Sequence, residues 1–508
     1  MGFPRSSGIL CHPTSFPSKH GIGDLGEGAY DFVKWLAAAK QQLWQVLPLG
    51  PTGYGDSPYQ CFSAFAGNPL LVSPESLTWS GLLPADALED VPDFPARQVD
   101  FGPVIAHKQG LLRRSYEHFK THATADQRVW FEAFRARNAD WLADYGLFMA
   151  LKGYFGGGSW HGWPRDIRIR EASALAHYRD KVGEWASYHE YVQWLFAEQW
   201  RTLKSHANGL GIRIIGDIPI FVAEDSADVW ARPDQFRLDG EGNPTVIAGV
   251  PPDNFSATGQ RWGNPHYHWD RMAQDGYRWW IDRIRGTLAV VDIVRIDHFR
   301  GFEAAWEIPG HEPTAVNGRW AKGPSAALFE AINAALGKLP IIAEDLGVIT
   351  PEVDALRTKF GFPGMKVLQF GFALDNDPKY LPHTFEKDFI VYPGTHDNNT
   401  VIGWFNEAGR IGPEKWNCLR YLDTDGRDLA WDFIRLAWGS VANQAVAILQ
   451  DVMSLGNEAR MNFPSMPSGN WQWRYTPEML TDALGARLRE LTEIYDRQPP
   501  VKKATAAQ

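Results

Sequence analysis

Eight short apolar runs, each breaking off into polar residues, with helical patterns set between many of them, predict an α/β fold. The fold class is a (β/α)8 TIM barrel with large, mostly helical insertions around its C-terminal mouth. The runs are "GILCHPTS" (8–15), "LWQVLPLG" (43–50), "IRIIGDIPIF" (212–221), "VDIVRIDHF" (291–299), "LPIIAEDLG" (339–347), "MKVLQFGF" (365–372), "FIVYPGTHD" (389–397) and "AVAILQDVM" (445–453). Nearly unbroken apolar stretches of this length suit strands covered on both faces. A doubly wound sheet is the structural alternative.

The helical patterns follow in order. "EGAYDFVKWLAAAKQ" (27–41) sets Tyr30, Val33 or Lys34, and Ala37 at helical spacing after the first run. "WASYHEYVQWLFAEQWRTLKSHANGLG" (185–211) reads as a long amphipathic helix ending in a glycine cap before the third. "SAALFEAINAALGKL" (325–339) leads into the fifth. A plain barrel needs about 250 residues, and the chain has 508. The excess is assigned to inserted subdomains within one catalytic domain, 1–500. The first, about 75–205, is mostly helical and rich in Trp. The second, 222–285, is rich in Gly, Pro, Asn and Trp. The third, 398–444, has a helical pattern. The tail "VKKATAAQ" (501–508) has no core-forming residues and is expected to be flexible.

Composition narrows the function. The net charge is −10 and the pI about 5.9, without a block of like charges, so nucleic-acid binding is not expected. No run reaches 18 apolar residues, so no membrane span is expected. The start "MGFPRSSGILCHPTSF" lacks the pattern of a signal peptide. Its Met1-Gly2 with Ser6 only formally matches a myristoylation motif. Three scattered cysteines, Cys11, Cys61 and Cys418, suggest neither a disulfide framework nor a metal site and fit a reducing cytoplasm. Aromatic residues stand out: 23 Trp, 16 Tyr and 28 Phe exceed what a core alone requires. Such faces also stack on sugar rings.

The strand ends carry the chemistry. The third run contributes Asp217, and the ends of the others give Arg295, Asp297 and His298 (fourth), Glu344 and Asp345 (fifth), and His396 and Asp397 (seventh). In a barrel of this kind, polar groups at the C-terminal strand ends read as catalytic. Three carboxylates at one mouth suit glycosidic chemistry, which needs a proton donor for the leaving oxygen and a second carboxylate for the developing oxocarbenium ion. Arg295 and Asp297, two apart on a strand, share a face. The guanidinium is expected to keep Asp297 ionised, as a nucleophile requires. Glu344 must stay protonated, and its apolar approach "LPIIA" with the nearby carboxylates would raise its pKa. His298 and His396 lack the partners of a metal site, and neither a G-x-S-x-G elbow nor a phosphate-binding P-loop occurs.

Eight blocks then carry a specific resemblance. They are "HPTSFPSKHGIGDLG", "WQVLPLGPTGYGDSPYQCFSAFAGNPLL", "GDIPIFVAEDSADVW", "GVPPDNFSATGQRWGNPHYHW", "VRIDHFRGF", "IIAEDLG", "GTHDNNT" and "EARMNFPSMPSGNWQWRY", in this order between about Gly8 and Tyr475. With them the chain resembles the 4-α-glucanotransferases (amylomaltases, or disproportionating enzymes) of glycoside hydrolase family 77, in their short bacterial form. The resemblance implies Asp297 as nucleophile, Glu344 as general acid/base, and Asp397 as transition-state stabiliser on the 2- and 3-hydroxyls of the sugar. It places Asp217, Arg295, His298 and His396 in the same subsite. Tyr59 would lie under the reacting glucose with Ser57 beside it. Trp262 and the loop around Asp253 and Phe255 would cover the donor. Tyr54 matches a residue of a second, surface glucan site. The family's loop often reads "PPDYFS"; here it is "PPDNFS", and Asn254 in place of an aromatic bears on acceptor preference and hydrolysis. The implied partners are malto-oligosaccharides and α-1,4-glucans, with no metal or cofactor.

The implied reaction is a retaining double displacement, for which two carboxyl groups about 5–5.5 Å apart are expected. Aromatic platforms and a covering loop would let a sugar outcompete water. Three rivals are a hydrolase of the α-amylase type, a non-catalytic glucan-binding protein and a dehydrogenase. The last is suggested by G-x-G-x-x-G at Gly21, Gly23 and Gly26. That fingerprint needs a strand just before it and an acid about 20 residues on. Here "PTSFPSKH" precedes it, and Val46 stands where the acid should be. The three glycines are therefore read as a turn in the first βα loop.

Overall fold

The computed structural model describes residues 2–252, 256–372, 377–407, 412–464 and 466–500. The tail 501–508 and the covering-loop residues Asp253, Asn254 and Phe255 lie outside the described residues. Every predicted apolar run contributes a strand: β1 (Ser6–Leu10), β2 (Leu43–Gln45), β3 (Arg213–Pro219), β4 (Ile293–Asp297), β5 (Ile341–Ala343), β6 (Gly364–Val367), β7 (Phe389–Tyr392) and β8 (Gln444–Ile448). All pairings are parallel, in the order β6-β7-β8-β1-β2-β3-β4-β5. The last strand pairs with the first, Ser6 opposite Gln444 and Leu10 opposite Ile448, as a (β/α)8 barrel requires. Among their β-branched and aromatic residues, Ile9, Trp44, Ile215, Val294, Ile342 and Val446 are fully buried.

The ring is thinnest between β5 and β6. Pro363 offers no N–H there, and the seam is held by Ala343 N–H to Pro363 O at 2.9 Å. The Asp345 carboxylate adds to it. It accepts from Met365 N–H at 2.7 Å and pairs with Arg357 at 3.3 Å.

Helices cover the barrel. After β1 comes α1 (Glu27–Ala38), which buries Ala29, Phe32, Val33 and Leu36. Between β2 and β3 lie Phe101–His122, Ala125–Arg137, Leu142–Tyr154 and the 38-residue α2 (Ala172–Gly209). The sequence pattern caught only the second half of α2, because its first turns are mostly exposed and bury only Ala174 and Val182. Helix α3 (Arg278–Val290) precedes β4, and α4 (Ser325–Leu336) precedes β5. The connection from β6 to β7 is built, among its described residues, from 3-10 turns at 368–372, 378–380 and 382–384 rather than an α-helix. Pro378 and Pro382 open two of these turns, and a proline inside a helix would break it.

A four-stranded antiparallel sheet departs from the expected helical make-up of the insertions. Its order is Gln260–Pro265, Val246–Val250, Ala304–Pro309, Arg319–Lys322. Its strand Ala304–Pro309 follows β4 after the turn Phe299–Phe302, and two of its other strands lie between β3 and β4.

The glycine stretch after β1 is a turn. Gly21 has φ +78°. A Cβ on Gly23 would stand 2.0 Å from Pro13 O, so the backbone can pass there only without one. Gly26 is the N-cap of α1.

Candidate functional site

The site grows from the strand alternation of β4. Arg295 and Asp297 point the same way, and a single guanidinium serves two carboxylates. Arg295 lies 2.6 Å from Asp217 Oδ2 and 3.1 Å from Asp297 Oδ1, and its Nε faces Met365 Sδ at 3.4 Å. Arg295 and Asp217 are buried, whereas the Asp297 side chain keeps 30% of its surface exposed.

Glu344 follows β5 and extends its ladder, Glu344 N–H donating to Ile296 O at 3.0 Å. Both its carboxylate oxygens accept main-chain N–H bonds of 2.7 Å, Oε1 from Leu346 and Oε2 from His298. His298 immediately follows Asp297 and sits in the left-handed region (φ 53°, ψ 47°). That uncommon conformation turns the chain sharply after Asp297, with the His298 N–H on Glu344. The two strand-end carboxylates are thereby fixed on one frame.

Asp397 lies on the loop between β7 and the helix α5 (Val401–Asn406). The loop is held at its far end by Val401 N–H to Asp451 Oδ1 at 2.7 Å, and by the Thr400 cap of α5. Asp397 Oδ1 accepts from Asn462 Nδ2 at 2.7 Å, and its carbonyl from Arg460 at 3.0 Å. A chain of polar groups ties this loop to the barrel interior. Tyr59 Oη donates to Asp217 Oδ2 at 2.8 Å and meets His396 Nε2 at 2.7 Å. Since the carboxylate can only accept, the Tyr59 oxygen accepts from His396, whose proton is assigned to Nε2 on that ground. The Tyr59 and His396 rings are nearly parallel (8°), with centroids 5.4 Å apart.

Above these groups opens a cleft of about 480 Å³, lined by Tyr54, Ser57, Tyr59, Trp262, Asp297, His298 and Asp397, with Asn462, Phe463 and Trp471 opposite. Trp262, on the antiparallel sheet, meets His298 edge to face at 4.8 Å. Ser57 accepts from Tyr59 N–H and so stiffens the turn that presents the tyrosine. Tyr54, 76% exposed, stands at the rim of this same cleft. The predicted Asp253 and Phe255 lie outside the described residues. Asn462, Arg460 and Trp471 are part of the site but were not singled out from the sequence. All three lie in the block "EARMNFPSMPSGNWQWRY", where no strand end marks them.

Electrostatics depart from expectation at Asp297. Burial pushes its carboxyl up to about 8; Arg295 opposes this, and the neighbouring Glu344, Asp217 and Asp397 add to it. One shared guanidinium does not outweigh burial beside so many acids. Water still reaches this partly exposed side chain, so the push is weaker than complete enclosure would give. Glu344 moves in the expected direction. Burial raises it, Arg295 and its two N–H donors pull it down, and Asp345 raises it further. Burial thus raises both carboxyls, against the pull of the one guanidinium near them. Burial also lowers His396, and it lowers His298 to about 3, which favours neutral rings over cations.

Comparison with known proteins gives one family. The family model described as 4-alpha-glucanotransferase matches residues 11–481. A 4-alpha-glucanotransferase of Thermus thermophilus is 52% identical over 98% of this chain and all of its own. The chloroplastic/amyloplastic enzyme of Solanum tuberosum is 41% identical over 96% of this chain and 85% of its own. Among solved structures, the amylomaltase of Streptococcus agalactiae in complex with acarbose superposes with a TM-score of 0.94 at 39% identity, covering 97% of this chain and all of that one.

Proposed function

The chain belongs to the 4-alpha-glucanotransferase family, enzymes that transfer glucan segments, and on that premise we propose a retaining mechanism with Asp297 as nucleophile, Glu344 as general acid/base and Asp397 as stabiliser. Asp297 attacks the anomeric carbon of an α-1,4-glucan. The glycosidic C–O bond breaks as Glu344 protonates the departing oxygen, and the reducing-end fragment leaves. Glu344, now a carboxylate, takes the proton of the 4-hydroxyl of an incoming sugar. That oxygen attacks the glucosyl-enzyme, forms the new α-1,4 bond and frees Asp297. Malto-oligosaccharides and α-1,4-glucans serve as donor and acceptor.

The observation that carries this reading is the shared frame of the two strand-end carboxyls, Asp297 against Arg295 at 3.1 Å and Glu344 bonded to the N–H of the next residue, His298, at 2.7 Å. Arg295 and partial exposure favour charge on Asp297, and greater burial favours the proton on Glu344. Tyr59, Trp262 and Trp471 would supply stacking faces for the sugars and exclude water from the intermediate.

Maltotriose tests the reading. Transfer makes glucose and longer chains while the number of reducing ends stays constant; net hydrolysis would raise it. Asp297→Asn is expected to abolish disproportionation, and an unimpaired variant would remove Asp297 from the chemistry.

A further inference from the structure

Two residues of the segment after β8 grip Asp397 from outside its own loop. Asn462 Nδ2 donates to Asp397 Oδ1 at 2.7 Å. Arg460 donates to the Asp397 carbonyl at 3.0 Å and, from Nε, to the Asn462 carbonyl at 2.7 Å. One guanidinium therefore joins the two backbones, while the amide it holds in place meets the carboxylate. The Arg460 guanidinium also lies 4.4 Å over the ring of Phe463, which lines the cleft. The other carboxylate oxygen, Oδ2, stands 3.4 Å from His396 Nε2 on a side chain that is 44% exposed. A carboxylate turns broadly and with two-fold symmetry about its last bond. Here one oxygen is claimed by a fixed donor, and the other is left for the cleft.

We propose that Asn462, backed by Arg460, is a positioning residue that sets the orientation of the Asp397 carboxylate toward the sugar hydroxyls. The inference rests on Asp397 acting as the stabiliser. Hydroxyl bonds that strengthen in the transition state lose most when the carboxylate swings free, so the effect belongs in kcat rather than KM.

The test is steady-state disproportionation of maltotriose by Asn462→Ala, by the isosteric Asn462→Asp and by Arg460→Lys. A hydrogen bond to a charged group translates into a loss of about tenfold to a hundredfold in kcat for both Asn462 variants, with KM changed by less than about threefold. Arg460→Lys keeps the charge but loses the two-pronged grip, and gives a smaller fall in kcat. With α-maltosyl fluoride as donor, whose leaving group needs no proton from Glu344, the Asn462 deficit persists. An unchanged kcat, a loss carried by KM, or recovery with the fluoride would each overturn the proposal. Asp397→Ala is measured alongside. If it is active, the stabiliser reading itself fails; if it is inactive while Asn462→Ala is normal, only the positioning role fails.

Discussion

Replacing Asp451 by Asn is expected to stabilise the protein, and to do so more at pH 8 than at pH 5. Asp451 is fully buried behind the Asp397 loop. Its Oδ1 accepts from Val401 N–H at 2.7 Å, and its Oδ2 has no partner among the described residues. Burial, only partly offset by that N–H bond, raises its pKa from 3.8 to about 7. The native state therefore holds a proton that the unfolded chain releases near pH 4, and the native carboxyl loses it near pH 7. Between these values the unfolded state binds fewer protons, so stability falls as pH rises and levels off above about 7. About three pKa units at 1.36 kcal/mol each give a cost near 4 kcal/mol at pH 8, and about 2 kcal/mol at pH 5. Asparagine keeps the acceptor for Val401 and does not titrate. Its extra N–H group has the same consequence at both pH values and cancels in the comparison. An unfolding entropy of about 2.1 cal/mol/K per residue makes 1 kcal/mol worth about 1 °C in a chain of this size. The gain in apparent Tm of Asp451→Asn over wild type, read by scanning fluorimetry, should be about 2–3 °C larger at pH 8 than at pH 5. A shift equal at both pH values would show that Asp451 is ionised in the native protein and would refute the argument.

Tyr59→Phe removes the hydroxyl between Asp217 and His396 and leaves the ring. We expect kcat for maltotriose to fall by about tenfold or more, as a donor to a buried charged group is worth about 1.5–3 kcal/mol, with product distribution on a chromatogram unchanged. Gly23→Ala forces a Cβ to within 2.0 Å of Pro13 O and 2.5 Å of Phe16 N, both main-chain atoms that cannot move aside. A cost of about 1–3 kcal/mol or more follows from overpacking, seen as a lowered apparent Tm with no NAD-dependent shift in either protein.

The eight strands were legible because a strand covered on both faces must be apolar almost throughout. Asp297 and Glu344 were legible for the same reason, since a sudden carboxylate after "DIVRI" or "PIIA" breaks the apolar run at the strand end. The antiparallel sheet was not. Its strand Gln260–Pro265 is only partly buried and alternates weakly, so nothing in "QRWGNP" separates it from a loop. Asn462 and Arg460 escaped because their importance lies in what they touch, about sixty residues away in sequence. The upward push of burial on the Asp297 carboxyl was hidden for a similar reason. The sequence shows Arg295 two residues away but not that Asp217, on another strand, competes for it at 2.6 Å.

Asp345 closes the thin seam between β5 and β6, and the same carboxylate stands next to Glu344. Burial is the main cause of the raised Glu344 pKa, and Asp345 adds to it. If Glu344 is the proton donor, as proposed, Asp345 bears both on the barrel seam and, as a lesser influence beside burial, on the donor's pKa. Selection for a sturdier seam cannot swap this acid for a neutral group without also dragging the enzyme's alkaline limit downward. Variation in pH optimum among relatives should therefore travel through burial around Glu344, leaving Asp345 in place.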